Sequence, residues 1–233
     1  MDVVTAVVKY NQQTLGRDKL CRIIQYASRL SGYLLQQAGT SADWVNKAKT
    51  LDKHASTSRK LFRLGKSLDM MLGAIRARDI HHDNILKVLI ICRRLTYTFY
   101  YVIDHITWAA RLGLYKATPK EWSKFQAKFW VVALVFGLLR NLYEILNLIV
   151  VPKKKHDGGE EEGYTHGSSV ATRLMSRPQL LLDTVKNSAD FLLPFNVMGI
   201  IELNAGIAGL LGLISSISGA IPVWHPNMKL KPS

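Results

Sequence analysis

Apolar residues recur at helical spacing along almost the whole chain, and runs with the two-residue alternation of a strand are sparse. No proline occurs before Pro119. Val3, Val7 and Tyr10 open a short first helix. In the second, Asp18 is placed to cap the start, and Leu20, Ile23, Ile24, Ala27, Leu30 and Leu34 form the apolar face. The polar stretch 39–41 ends it, and Ser41 is placed to cap a third helix. Asp83, after a His81-His82 break, is an N-cap candidate for a long helix from Ile85 to about Leu114. That helix is apolar but interrupted by Arg93-Arg94 and Asp104-His105, more charge than a lone bilayer span carries. It reads as a buried or interfacial helix of a bundle.

The most informative stretch is 56–78, STSRKLFRLGKSLDMMLGAIRAR. At about 100° per residue, Leu61, Leu64, Leu68, Met71, Leu72 and Ile75 fall on one stripe of a single amphipathic helix. Arg59, Arg63 and Lys66 fall on the opposite face, Lys60 and Arg78 on one border, and Arg76 near the other. A helix lying flat on an anionic membrane has this layout, with the stripe in the acyl boundary and the cations at lipid phosphates. An ordinary surface helix packed on a protein core has it too. On the membrane reading the six apolar residues insert, and Arg59, Lys60, Arg63 and Lys66 meet headgroups.

Two further segments are apolar enough for a bilayer. Residues 129–151 make a candidate membrane helix of spanning length, with Arg140 and Glu144 spaced to pair at i, i+4. Residues 152–172, with opposed charge blocks and several glycines, read as a flexible linker. In 173–233 an amphipathic helix ended by Pro194 is followed by a Gly-rich apolar run and a basic tail. Gly206, Gly209, Gly212, Ser216 and Gly219 give that run the small-residue spacing of helix–helix packing in membranes.

The net charge is +14, and residues 1–128 hold 22 Lys and Arg against 9 Asp and Glu. So basic a front half calls for an acidic partner, nucleic acid or anionic lipid. No nucleic-acid-binding motif accompanies it, which leaves lipid. If both apolar segments span, the basic region 1–128 and the tail lie on one side, and the positive-inside rule makes that side cytosolic. Cys21 and Cys92 fit no zinc or CxxC spacing and read as reduced core thiols. The N-terminus lacks the features of a secretory signal, and KLKPS is not the peroxisomal matrix address.

Catalytic chemistry is missing from the pattern. Gly158-Gly159 is no phosphate loop, since no strand and helix flank it. His81-His82-Asp83 lacks a second ligand cluster, so capping explains it better than a metal. Asp104-His105 has no accompanying nucleophile motif. The reading is an all-α, membrane-associated helical bundle with no cofactor and no enzymatic site.

Three blocks carry a family resemblance: RDKLCRIIQYASRL (17–30), SRKLFRLGKSLDMM (58–71) and LGLISSISG (211–219). With the order of segments, they resemble the peroxisomal membrane protein 11 (peroxin-11) family over essentially the whole chain. The resemblance implies an integral peroxisomal membrane protein that promotes elongation, division and proliferation of the organelle, and the charge pattern above puts both termini in the cytosol. It implies amphipathic-helix insertion, self-association, and recruitment of a dynamin-like GTPase with its tail-anchored adaptors. A channel for small metabolites is the alternative, with Arg140, Glu144, Asn147 and Glu202 as lining candidates.

Overall fold

The computed structural model describes residues 2–80, 83–116, 118–150 and 170–230. Ten α-helices follow one another among them, with no strand: α1 Val3–Gln12, α2 Thr14–Gln37, α3 Ala42–Phe62, α4 Lys66–Arg76, α5 Asn84–Arg111, α6 Pro119–Val150, α7 Val170–Met175, α8 Pro178–Phe191, α9 Leu193–Met198 and α10 Ala205–Trp224. Most of the expected linker 152–172, and both His81 and His82, lie outside the described residues.

Local chemistry explains most boundaries. Gly39 adopts φ +67°, a left-handed conformation that ends α2 cheaply. Asp83 caps α5 as expected: its Oδ1 accepts the Leu86 amide at 2.8 Å. Asn204 does the same for α10, accepting from Ile207 N at 2.8 Å. Ser41 occupies the cap position of α3 without a side-chain hydrogen bond. Asp18 is no cap at all; α2 already begins at Thr14, and Asp18 lies buried inside it. Pro194 does not end α8. It sits in the first turn of α9, where a missing amide hydrogen is harmless.

The expected single helix 56–78 is two helices. Arg63, Leu64 and Gly65 form a turn between α3 and α4, with Gly65 at φ +76° and the Lys66 amide bonded to the Arg63 carbonyl at 3.0 Å. A residue with a Cβ resists that φ, so this glycine fixes the break.

α2 packs against α3 and α10, α5 against α4 and α6, and α8 against α6 and α10. The α2–α10 seam uses the small residues of the C-terminal helix. A Cβ added at Gly212 would lie 2.1 Å from Tyr26 Cδ1, and one at Gly206 2.5 Å from Tyr33 Cδ1. At Gly209 the obstacle is backbone, Leu30 N at 2.8 Å. The Ser216 hydroxyl donates to the Gly212 carbonyl, which satisfies it inside an apolar helix. A Gly219 side chain would instead approach Lys19 and Lys186. The small-residue face therefore closes on the chain's own α2 and α8, and is not open to a second copy. Among the described residues, two helices are long and apolar enough to cross a membrane, Pro119–Ile149 and Ala205–Trp224.

Gly209→Ala should lower stability by roughly 1–3 kcal/mol, because Leu30 backbone cannot move aside. Thermal melting in detergent checks this, with Leu210→Ala on the exposed face of α10 as the milder control.

Candidate membrane-insertion site

All six stripe residues lie on the outside of the bundle. Leu68 is 71% exposed, and Leu61, Leu64, Met71, Leu72 and Ile75 are each 43–50% exposed. They come from the end of α3, the turn and one face of α4, which rests its other face on α5. A contiguous patch of that kind marks an interaction with membrane or protein.

The cations assigned to lipid headgroups behave differently, and three of the four are corrected. Lys60 and Arg63 are buried, and the Arg59 side chain is almost so. They turn inward because carboxylates wait there. Arg59 Nε lies 3.2 Å from Asp18 Oδ1, and its Nη1 donates to Gln25 Oε1 at 2.8 Å. Arg63 Nη2 lies 2.8 Å from Asp104 Oδ2, an ion pair without hydrogen-bond alignment, and its Nε lies 3.7 Å from Asp18 Oδ1. Lys60 donates to Asp104 Oδ1, which also accepts from Gln126 Nε2 at 2.7 Å. His105 Nε2 donates to the Arg63 carbonyl at 3.0 Å and so pins the α3–α4 turn to α5. Lys66 alone of the four reaches the surface, where it pairs with Asp69. Arg76 and Arg78 are exposed beside the stripe and are the cations available to headgroups together with Lys66.

The same inward turn recurs on α8. Asp183, Asn187 and Asp190 share one helical face directed at α2, α5 and α6. Arg93 lies 3.2 Å from Asp183 and 3.0 Å from Asn187, and Arg22 lies 2.5 Å from Asp190. None of these residues was singled out as functional from the sequence. Their signal was the spacing: Asp18, Arg22, Gln25 and Arg29 also recur at helical intervals in α2.

Buried charge shifts the titrations. Burial alone would raise the Asp104 carboxyl, but Arg63 and then Lys60 hold it down to about 2. Burial pushes the Lys60 amine down to about 8 against the pull of Asp104. Asp18, buried among Arg59 and Arg63, is held below the usual carboxylate range.

The channel candidates are dispersed. Arg140 and Glu144 are buried on α6 and bond to each other at 2.7 Å, as their spacing suggests. Glu202 is exposed in the segment before α10. Cys21 and Cys92 are free and half-buried. No group of three His, Cys, Asp or Glu side chains among the described residues is arranged to hold a metal ion.

The interior is charged while the exterior carries large apolar side chains, among them Phe99 on α5, Leu142 on α6 and Leu210 on α10. Water rewards the opposite arrangement. The fold is that of an all-α, membrane-associated helical bundle. A sequence model described as Peroxisomal biogenesis factor 11 matches residues 4–224. Peroxisomal membrane protein 11A of Bos taurus is 34% identical over 249 residues, covering 97% of this chain and 98% of its own. Peroxisomal membrane protein 11B of Homo sapiens is 31% identical, covering 97% and 99%. A Dictyostelium discoideum homologue is 24% identical, covering 94% and 93%. No solved structure matches. The chain belongs to the peroxisomal biogenesis factor 11 family, whose members are peroxisomal membrane proteins with a role in peroxisome biogenesis.

Asp104→Asn leaves Lys60 and Arg63 buried without their carboxylate and should destabilise the bundle by about 3–5 kcal/mol in detergent melting. The wild type should show the matching acid dependence. A carboxyl lowered from 3.8 to about 2 stabilises the fold fully above pH 4, and loses that contribution as the pH falls toward 2. The variant's melting temperature should change less over that window.

Proposed function

We propose that this protein remodels the peroxisomal membrane, driving elongation and division, by seating the α4 stripe in the cytosolic leaflet. The observation that carries the reading is the outward placement of Leu61, Leu64, Leu68, Met71, Leu72 and Ile75 beside exposed Arg76 and Arg78. Full burial of such a side chain is worth about 1.5–3 kcal/mol. The stripe is already about half covered by its own bundle, so roughly 1 kcal/mol per residue remains for lipid. Each cation near an anionic surface adds about 1 kcal/mol. Six side chains and three cations suffice for adsorption, and material added to one leaflet expands it against the other.

Cytosolic termini rest on the charge pattern of the chain, and self-association and recruitment of a dynamin-like GTPase through tail-anchored adaptors rest on the family. Self-association has to use a surface other than the glycine face of α10, which α2 occupies. The exposed Ile207, Leu210, Ile214 and Ile217 on the opposite side of α10 are available. The metabolite channel receives less support, since Arg140 and Glu144 neutralise each other.

The test is Leu64→Glu with Leu68→Glu in the full chain, reconstituted with vesicles containing anionic lipid. Both positions are exposed, so folding should survive, which circular dichroism checks. The variant should lose tubulation seen with wild type. Tubulation at the wild-type level would exclude the wedge.

A further inference from the structure

The charged interior leaves a partly open space. A cavity of about 370 Å³ lies between α2, α3, α5, α6 and α8. Nine of its lining side chains are Lys or Arg, and only two, Asp18 and Asp190, are carboxylates. Three more carboxylates, Asp52, Asp104 and Asp183, pair with these cations from behind the wall. Nine positive charges thus meet five negative ones among the described residues, an excess of four, of which the exposed Arg111 accounts for one.

Individual side chains register the surplus. Arg22 is held by Asp190 through Nη2, yet its buried Nε has no hydrogen-bond partner. Lys19 has no carboxylate at ion-pair distance among the described residues. Arg111, at the exposed edge of the cavity, donates through Nη1 to the hydroxyls of Ser56 and Thr57, at 3.2 and 3.4 Å, and adds no buried charge. Burial, with Arg22, Lys186 and Arg59 nearby, pushes the Lys19 amine down to about 7 against the pull of Asp18.

We propose that this cavity binds a phosphate-bearing anion, with Lys19, Arg22, Arg59 and Arg63 as its principal donors. Several like charges in a low-dielectric interior repel strongly, and a compact multivalent anion cancels that repulsion where monovalent chloride does so only in part. Guanidinium forks suit phosphate oxygens in particular, since they donate in pairs. A neighbouring cavity, of about 660 Å³, adjoins it and shares Lys19, Arg93 and Lys186 with it, and Leu15, Ile80 and Leu182 also line this second space. Its mixed wall accommodates the chains of a phospholipid whose headgroup reaches the inner cations, and it equally admits a soluble phosphate ester. The phosphate group is common to both sources. The site is separate from the outward α4 stripe, so its failure would leave the insertion reading standing.

The experiment is thermal melting of the full chain, with two arms. In neutral detergent, sodium pyrophosphate is compared with sodium chloride at equal ionic strength. In nanodiscs, phosphatidylcholine alone is compared with phosphatidylcholine containing phosphatidic acid. A saturating anion should raise the melting temperature by roughly 5–10 °C. A rise with pyrophosphate identifies a soluble source, and a rise confined to phosphatidic acid identifies the lipid headgroup. Lys19→Gln should melt at or above wild type without anion, because it removes an unmatched charge, and should lose most of the rise. Lys53→Gln, on the exposed side of α3, should keep it. No rise in either arm, or a full rise in Lys19→Gln, overturns the proposal.

Discussion

The carboxylate of Asp104 sets the outward character of this bundle. It is completely buried on α5, and it draws in Lys60 from the last turn of α3, Arg63 from the following turn and Gln126 from α6. Two long cationic side chains anchored inward leave their neighbours no choice of direction. Leu61 and Leu64, one residue on from each cation, rotate to the outside, and Gly65 then restarts the helix as α4 with its own leucines facing out. The outward apolar face is in this sense positioned by a charge cluster beneath it.

That arrangement suits a lipid surrounding. Burial of apolar surface does not hold helices together where the solvent is itself apolar, so close backbone approach and polar contacts have to serve. Both are present. Gly206, Gly209 and Gly212 let α10 lie directly on Tyr33, Leu30 and Tyr26 of α2. Arg22, Arg93, Asp183 and Asp190 tie α8 to α2 and α5. A buried charge with its partner removed is far worse than one never buried, so such a network favours a single packing arrangement over sliding alternatives.

Much of this was legible in the sequence, for reasons that differ element by element. The Asp83 cap, the Gly39 stop and the small-residue face of α10 are local signals with one physical meaning each. The break at Gly65 was not legible, because a glycine inside an unbroken 100° pattern is tolerated in a helix as readily as it ends one. The direction of Arg59, Lys60 and Arg63 was hidden for another reason. A helical wheel separates two faces but does not say which one meets the protein, so the cations read as headgroup ligands when carboxylates of the bundle lie behind them. Nothing local distinguishes a capping carboxylate at Asp18 from one that pairs with Arg59, 41 residues away. The polar ladders of α2 and α8 were visible as spacing, yet their meaning required the partner helices.

The most direct measurement places a single environment-sensitive fluorophore at Leu68→Cys in a chain carrying Cys21→Ala and Cys92→Ala, reconstituted in vesicles with anionic lipid. Insertion of the α4 stripe predicts blue-shifted emission, and quenching by lipids spin-labelled along the acyl chain. The same probe at Lys53→Cys should remain in water. A probe at position 68 with water-like emission and no acyl-chain quenching would contradict the account.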